Sequence, residues 1–160
     1  MTQLLIQSII IGILATLFLD VFSYLRKKIT QTKPANYAFV GRWVLSWFDG
    51  TFKHQNIAQA AAKPGELIVG WGVHYVTGII FVWCYLMLSS LGFYPVNLLT
   101  SIVYGLLTTL APFLILQPAF GFGYFAQLTP QPKQARKNSL IAHFVFGLGI
   151  YLSYLLIYNV

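Results

Sequence analysis

All ten Lys and Arg residues of this 160-residue chain fall in two segments, and long apolar stretches make up most of the rest. Arg26, Lys27, Lys28, Lys33, Arg42, Lys53 and Lys63 form the first group; Lys133, Arg136 and Lys137 form the second. Cationic segments bordering apolar stretches stay in the cytoplasm, and charge-free stretches cross the bilayer. Only 8% of the residues are charged and 58% are apolar, whereas a water-soluble domain needs roughly a quarter of its residues charged. The chain reads as an all-α membrane protein.

The net charge of +7 belongs to those loops. Anionic lipid headgroups and topology account for it, and with no base-readout motif beside it, nucleic acid is excluded as a partner. The expected partners are the lipid bilayer and its anionic headgroups, and a homo-oligomer stays open. Cys84 is the only cysteine, so the chain forms no internal disulfide.

Four spans are predicted, at about 4–25, 67–88, 96–117 and 139–158, each near the ~20 residues that cross ~30 Å of hydrocarbon. The third is expected to start after Pro95, a natural first-turn residue. No basic residue precedes the first span and its apolar core is too long for a cleaved signal. With loops 26–66 and 119–138 inside, both termini face the periplasmic or outer side. A short turn at Ser89-Ser90-Leu91-Gly92 joins spans two and three, so one four-helix bundle and one domain, 1–160, are expected.

In the first loop Val40, Trp43, Val44, Trp47 and Phe48 share one helical face, with Arg42, Ser46 and Asp49 on others. That pattern predicts an amphipathic interfacial helix. Asp49-Gly50 predicts a turn, after which Phe52-Lys53-His54 would run back as a lid. The second loop, Gly121 to Lys137 with Pro130 and Pro132, reads as an irregular connector.

Within the spans, small and polar residues recur every four positions and therefore stack on one helix face. The stripes are Gly12, Thr16, Asp20; Gly70, His74, Gly78; Gly105, Thr109, Phe113, Gln117; and Ser139, His143, Gly147, Tyr151. Such stripes are the mark of close helix contact in lipid. Counting from the nearest charged residue at 1.5 Å per residue puts Asp20 and His143 at roughly 9 Å and His74 near roughly 12 Å. An Asp at depth costs about 2.5 to 3.5 kcal/mol, so a partner is expected. Asp20, His74 and His143 are therefore predicted to share a pocket open to the cytoplasmic side. His54 would cap it, and Arg42, Glu66, Gln117 and Arg136 would form its cofactor-binding rim. A short internal echo, His74-Tyr-Val-Thr-Gly78 against His143-Phe-Val-Phe-Gly147, is consistent with a duplicated helical hairpin.

The chain resembles a known family. Gly12-x-x-Ala15-Thr16-x-x-x-Asp20, Val40-Gly41-Arg42-Trp43, Gly50-x-Phe52-x-His54 and Gly70-Trp71-x-x-His74-Tyr75-x-x-Gly78 carry the likeness in the first half. Gln117-Pro118-Ala119-x-Gly121-x-Gly123, Thr129-Pro130-x-Pro132-x-x-x-Arg136 and Ser139-Leu140-x-x-His143-x-x-Phe146-Gly147 carry it in the second. Together they resemble the bacterial membrane proteins grouped as domain-of-unknown-function family 2938. The resemblance implies a small integral protein of the bacterial inner membrane and brings no assigned activity.

Three functions are compatible with these residues. One is a membrane-embedded enzyme or cofactor site, with Asp20, His74, His143 and His54 as acid–base groups. In that case His54, His74 and His143 would be ligands to a divalent metal, or His74 and His143 would grip a haem. The second is a proton-coupled transporter of a small molecule, hinged at Pro112. The third is a structural or partner-binding protein whose polar residues tie helices together.

Overall fold

Helix formation follows hydropathy here but overruns it. In the computed structural model, residues 2–32 and 34–158 are described; Lys33 and the chain ends at 1 and 159–160, on which the expected topology also draws, lie outside them. All regular structure among the described residues is helical: α1 Thr2–Thr30, α2 Tyr37–Ser46, α3 Glu66–Ser90, α4 Leu98–Leu107, α5 Gln117–Ala119 and α6 Pro132–Tyr158, with a π-helical turn at Pro112–Leu116. Four stretches are long and apolar enough to cross a membrane: Thr2–Thr30, Glu66–Ser90, Leu98–Ala119 and Pro132–Tyr158. Their outward residues are themselves apolar, among them Ile6, Leu17, Ile68, Leu99 and Leu156. Water would not tolerate so much exposed hydrocarbon, whereas lipid requires it.

Three boundaries differ from expectation. The second loop is not irregular throughout, because α6 starts at Pro132 and carries Lys133, Arg136 and Lys137 on its first turns. Lys and Arg are good helix formers, and hydropathy alone marks only the apolar part of a helix. α1 likewise runs on through Arg26, Lys27 and Lys28. Pro95 lies outside the third span, which Asn97 caps instead. The Asn97 side chain accepts from the Thr100 N–H at 2.9 Å, and the Thr100 hydroxyl accepts from the Asn97 N–H at 3.1 Å, a reciprocal capping box.

The chain divides into two compact units. The first comprises Met1–Pro34, Tyr75–Thr108 and Ile141–Val160. Ile11 and Ala15 of α1, Val82 and Tyr85 of α3, and Phe146 and Ile150 of α6 form its core. Tyr85 is wholly buried, and its hydroxyl meets those of Thr100 and Ser101, each at 2.9 Å. α4 and α6 touch through backbone: a Cβ on Gly105 would lie 2.6 Å from the Cα of Gly147. This is the close contact that the small-residue stripes predict.

The second unit comprises Ala35–His74 and Thr109–Leu140. Asn36 caps α2 by accepting from the Ala38 N–H at 3.1 Å. α2 lies against the start of α3 with nothing between the backbones, since a Cβ on Gly70 would fall 1.8 Å from the Tyr37 carbonyl oxygen. The face α2 buries is the one an amphipathic interfacial helix keeps away from lipid. Gly41, Arg42 and Ser46 are buried, while Trp47 is 41% and Phe48 86% exposed. The polar side finds partners inside the protein and the apolar side is left facing out, as an interfacial helix requires.

Candidate functional site

Asp20, His74 and His143, the ionisable residues singled out within the spans, each take a hydroxyl partner. In the first unit the Tyr75 hydroxyl donates to Asp20 Oδ2 at 3.0 Å. There too, the Thr108 hydroxyl donates to the Gly105 carbonyl at 2.6 Å and meets His143 Nδ1 at 2.7 Å. A hydroxyl has one proton. With that proton on Gly105, Nδ1 would be the donor to Thr108, a tautomer open to direct test. In the second unit His74 Nε2 lies 3.0 Å from the Tyr37 hydroxyl, and Trp71 packs edge-on to the His74 ring at 5.7 Å. Sequence reasoning named the acid and the imidazoles and missed Tyr37, Tyr75 and Thr108. Each lies beside a stripe or at the first residue of a helix, where four-residue spacing does not look.

Among the described residues, no group of three or more His, Cys, Asp and Glu side chains is placed to hold a metal ion. For the haem alternative, His74 Nε2, the usual axial atom, is already bonded to Tyr37.

Arg42 and Glu66, expected on a cofactor rim, hold the first loop together instead. Arg42 Nε and Nη2 donate to the two Glu66 carboxylate oxygens, each at 2.8 Å. Arg42 Nη1 donates to the carbonyls of Ile57 at 2.9 Å and Ala60 at 2.7 Å, and the Lys63 N–H donates to Glu66 Oε2 at 2.9 Å. Hydrogen bonding to Glu66 pushes the Arg42 guanidinium above its already high value despite burial. An off-face cation on an apparently amphipathic helix was the available signal, since a loop carbonyl cluster suits a guanidinium. Arg136, the other expected rim cation, is exposed and donates from Nε to the Phe125 carbonyl at 2.7 Å.

The Asp49-Gly50 turn forms, with Gly50 at φ +73° and its N–H on the Trp47 carbonyl at 3.0 Å. The chain then runs back as expected after the turn, and the Trp43 indole N–H holds the Phe52 carbonyl at 2.8 Å. The reversed segment pairs with the end of the third span. The His54 N–H donates to the Ala119 carbonyl at 2.8 Å, and the Ile57 N–H to that of Phe120 at 2.9 Å. Gly121 permits this approach: its φ is +81°, and a Cβ there would sit 1.9 Å from the Gln55 carbonyl oxygen. Two of the motif stretches that carry the family resemblance, Gly50-x-Phe52-x-His54 and Gln117-Pro118-Ala119-x-Gly121-x-Gly123, thus meet.

Their junction forms an open groove of about 440 Å³, walled by Lys53, His54 and Gln55 on one side and Pro118, Gly121, Tyr124 and Gln127 on the other. Among the described residues, His54 Nε2 is buried without a hydrogen-bond partner, as are Gln117 Oε1 and Thr109 Oγ1 on the preceding stripe. Burial first, then the positive charges of Arg42 and Lys63, push the His54 imidazole below its ordinary value of 6.5. At neutral pH it is therefore uncharged. Gln55, Tyr124 and Gln127 were not singled out from the sequence, and Lys53 only as part of the returning segment, because only the pairing of two distant loops makes them neighbours.

Residues 9–157 match the family described as "Protein of unknown function (DUF2938)". No curated protein and no solved structure matches the chain. The match spans nearly the whole length, and the chain belongs to domain-of-unknown-function family 2938.

Proposed function

We propose that this chain is a multi-pass protein of the bacterial inner membrane, with both cationic segments in the cytoplasm. In this reading it works through the groove at His54, which binds a small polar molecule. The supporting observation is the imidazole itself: His54 lines the groove, and its buried Nε2 lacks a partner among the described residues. An unsatisfied buried polar atom costs about 1–3 kcal/mol, a cost that a ligand's hydrogen bond offsets. A neutral imidazole also suits a general base, so the groove serves binding or proton abstraction equally. Asp20, His74 and His143 take the supporting role, tying helices through Tyr75, Tyr37 and Thr108.

A thermal-shift screen of the detergent-purified protein against small polar compounds tests the site. Compounds that stabilise the wild type and not His54→Gln are expected; equal shifts in both proteins, or none in either, would overturn it. Orientation is tested separately. A reporter fused at the carboxyl end should show periplasmic exposure, and cytoplasmic signal would reverse the topology.

A second reading, a proton-coupled carrier, draws on the π-helical turn at Pro112–Leu116, since such turns recur at functional sites. Uptake into proteoliposomes driven by a pH gradient would favour it over a static binding site.

A further inference from the structure

We infer that the groove at His54 takes a small anionic group of the phosphate kind, held by Lys53 and the surrounding side-chain donors. The inference rests on the groove being the binding site and specifies the class of its ligand. The polar side chains in the walls are Lys53, His54, Gln55, Tyr124 and Gln127. Each of them can donate a hydrogen bond and none is a carboxylate. Several donors converging from two loops suit an acceptor with three or four oxygens, as charge-assisted bonds to phosphate do.

The acidic residues of the chain are engaged elsewhere. Asp49 pairs with Lys63, Glu66 with Arg42, and Asp20 accepts from Tyr75. No acidic side chain lines the groove to neutralise Lys53. Arg42 and Lys63 also disfavour a charge on His54, though each is paired with a carboxylate. An anion entering the groove meets Lys53 with no carboxylate in the walls facing it. A cation would meet Lys53 with nothing to offset the repulsion.

The same anionic chemistry comes from two sources, a free phosphate or a phospholipid headgroup. Thermal stability of the full chain in neutral detergent separates them. Inorganic phosphate, phosphatidylglycerol-doped micelles, phosphatidylcholine-doped micelles, glycerol and methylammonium are compared at matched ionic strength. At a probe concentration a hundredfold above its Kd, Tm should rise by roughly 5 °C or more. The rise should fall to about a tenth or less in Lys53→Gln and return in Lys53→Arg. A response to inorganic phosphate supports a soluble ligand. A response confined to phosphatidylglycerol supports a lipid headgroup, and both sustain the anionic class. Stabilisation by glycerol or methylammonium alone, lost in His54→Gln, overturns the anion and keeps the site. No stabilisation by any probe overturns both. A phosphate response unchanged in Lys53→Gln also overturns the inference, because the anion then binds elsewhere.

Discussion

The Arg42 guanidinium and the Glu66 carboxylate lie fork to fork, Nε on Oε2 and Nη2 on Oε1, with both contacts at 2.8 Å. The pair is largely buried, at 9% and 14% side-chain exposure. The remaining guanidinium nitrogen holds the loop by two carbonyls. Removing one partner of such a pair leaves an uncompensated charge, at a cost of about 3–5 kcal/mol. Arg42→Ala and Glu66→Gln are therefore each expected to destabilise the purified protein strongly. Arg42→Lys should recover little, since an ammonium cannot make the parallel bonds. A double-mutant cycle on thermal unfolding checks it, and independent, additive losses would contradict the coupling.

The His54 imidazole has its folded-state value pushed below 6.5. The unfolded chain therefore binds the proton more readily. Stability should be fully present above pH 6.5 and should fall as the pH drops through the folded value. His54→Gln should flatten that part of the profile. Unfolding measured between pH 7.5 and 5 decides it, and a profile that rises on acidification in the wild type would reverse the sign.

Gly121→Ala should separate the two loops. A side chain at φ +81° is strained by about 1–3 kcal/mol on its own, and its Cβ would also collide with the Gln55 carbonyl oxygen at 1.9 Å. The variant is expected to lose stability and to become sensitive to protease between residues 50 and 57. Unchanged proteolysis would mean that the pairing of His54 with Ala119 does not hold the segment down.

His143 is expected to carry its hydrogen on Nδ1, as follows when the Thr108 hydroxyl donates to the Gly105 carbonyl. Nitrogen chemical shifts of labelled imidazole report the tautomer directly. Thr108→Ser should preserve it and Thr108→Val should release it. An Nε2–H signal in the wild type would require the Thr108 proton to point at the ring instead.

Much of this architecture was legible in the chain, for a simple reason. Apolar runs of membrane length can do little but cross, and the four spans stand where hydropathy puts them. The turn at Asp49-Gly50 was equally plain from its residue types. The partners of the buried side of α2 were not. Periodicity identifies the apolar stripe of an interfacial helix, but not that Arg42 on another face gathers Glu66 and two loop carbonyls. The stripes marked the buried Gly12, Thr16, Gly105, Thr109 and Gly147 correctly. They could not find hydroxyl partners lying off-register, or a groove made by loops more than sixty residues apart. His54 was nominated as a cap over the other imidazoles; the pairing that places it is with Ala119.

The turn at Pro112–Leu116 closes its hydrogen bond one residue late, from the Gln117 N–H to the Pro112 carbonyl. An ordinary helical turn would not accommodate that extra residue, so it acts as a phase shift in everything downstream. One residue corresponds to roughly 100° of rotation about the helix axis. Deleting a single residue between 113 and 116 would restore a regular helix and keep the span apolar. It would also swing Ala119, Phe120 and Gly121 roughly a quarter-turn away from the loop they receive. The length of the span tolerates such a change, but its angular register does not, and insertions or deletions of one residue there should be far more damaging than conservative substitutions at the same positions.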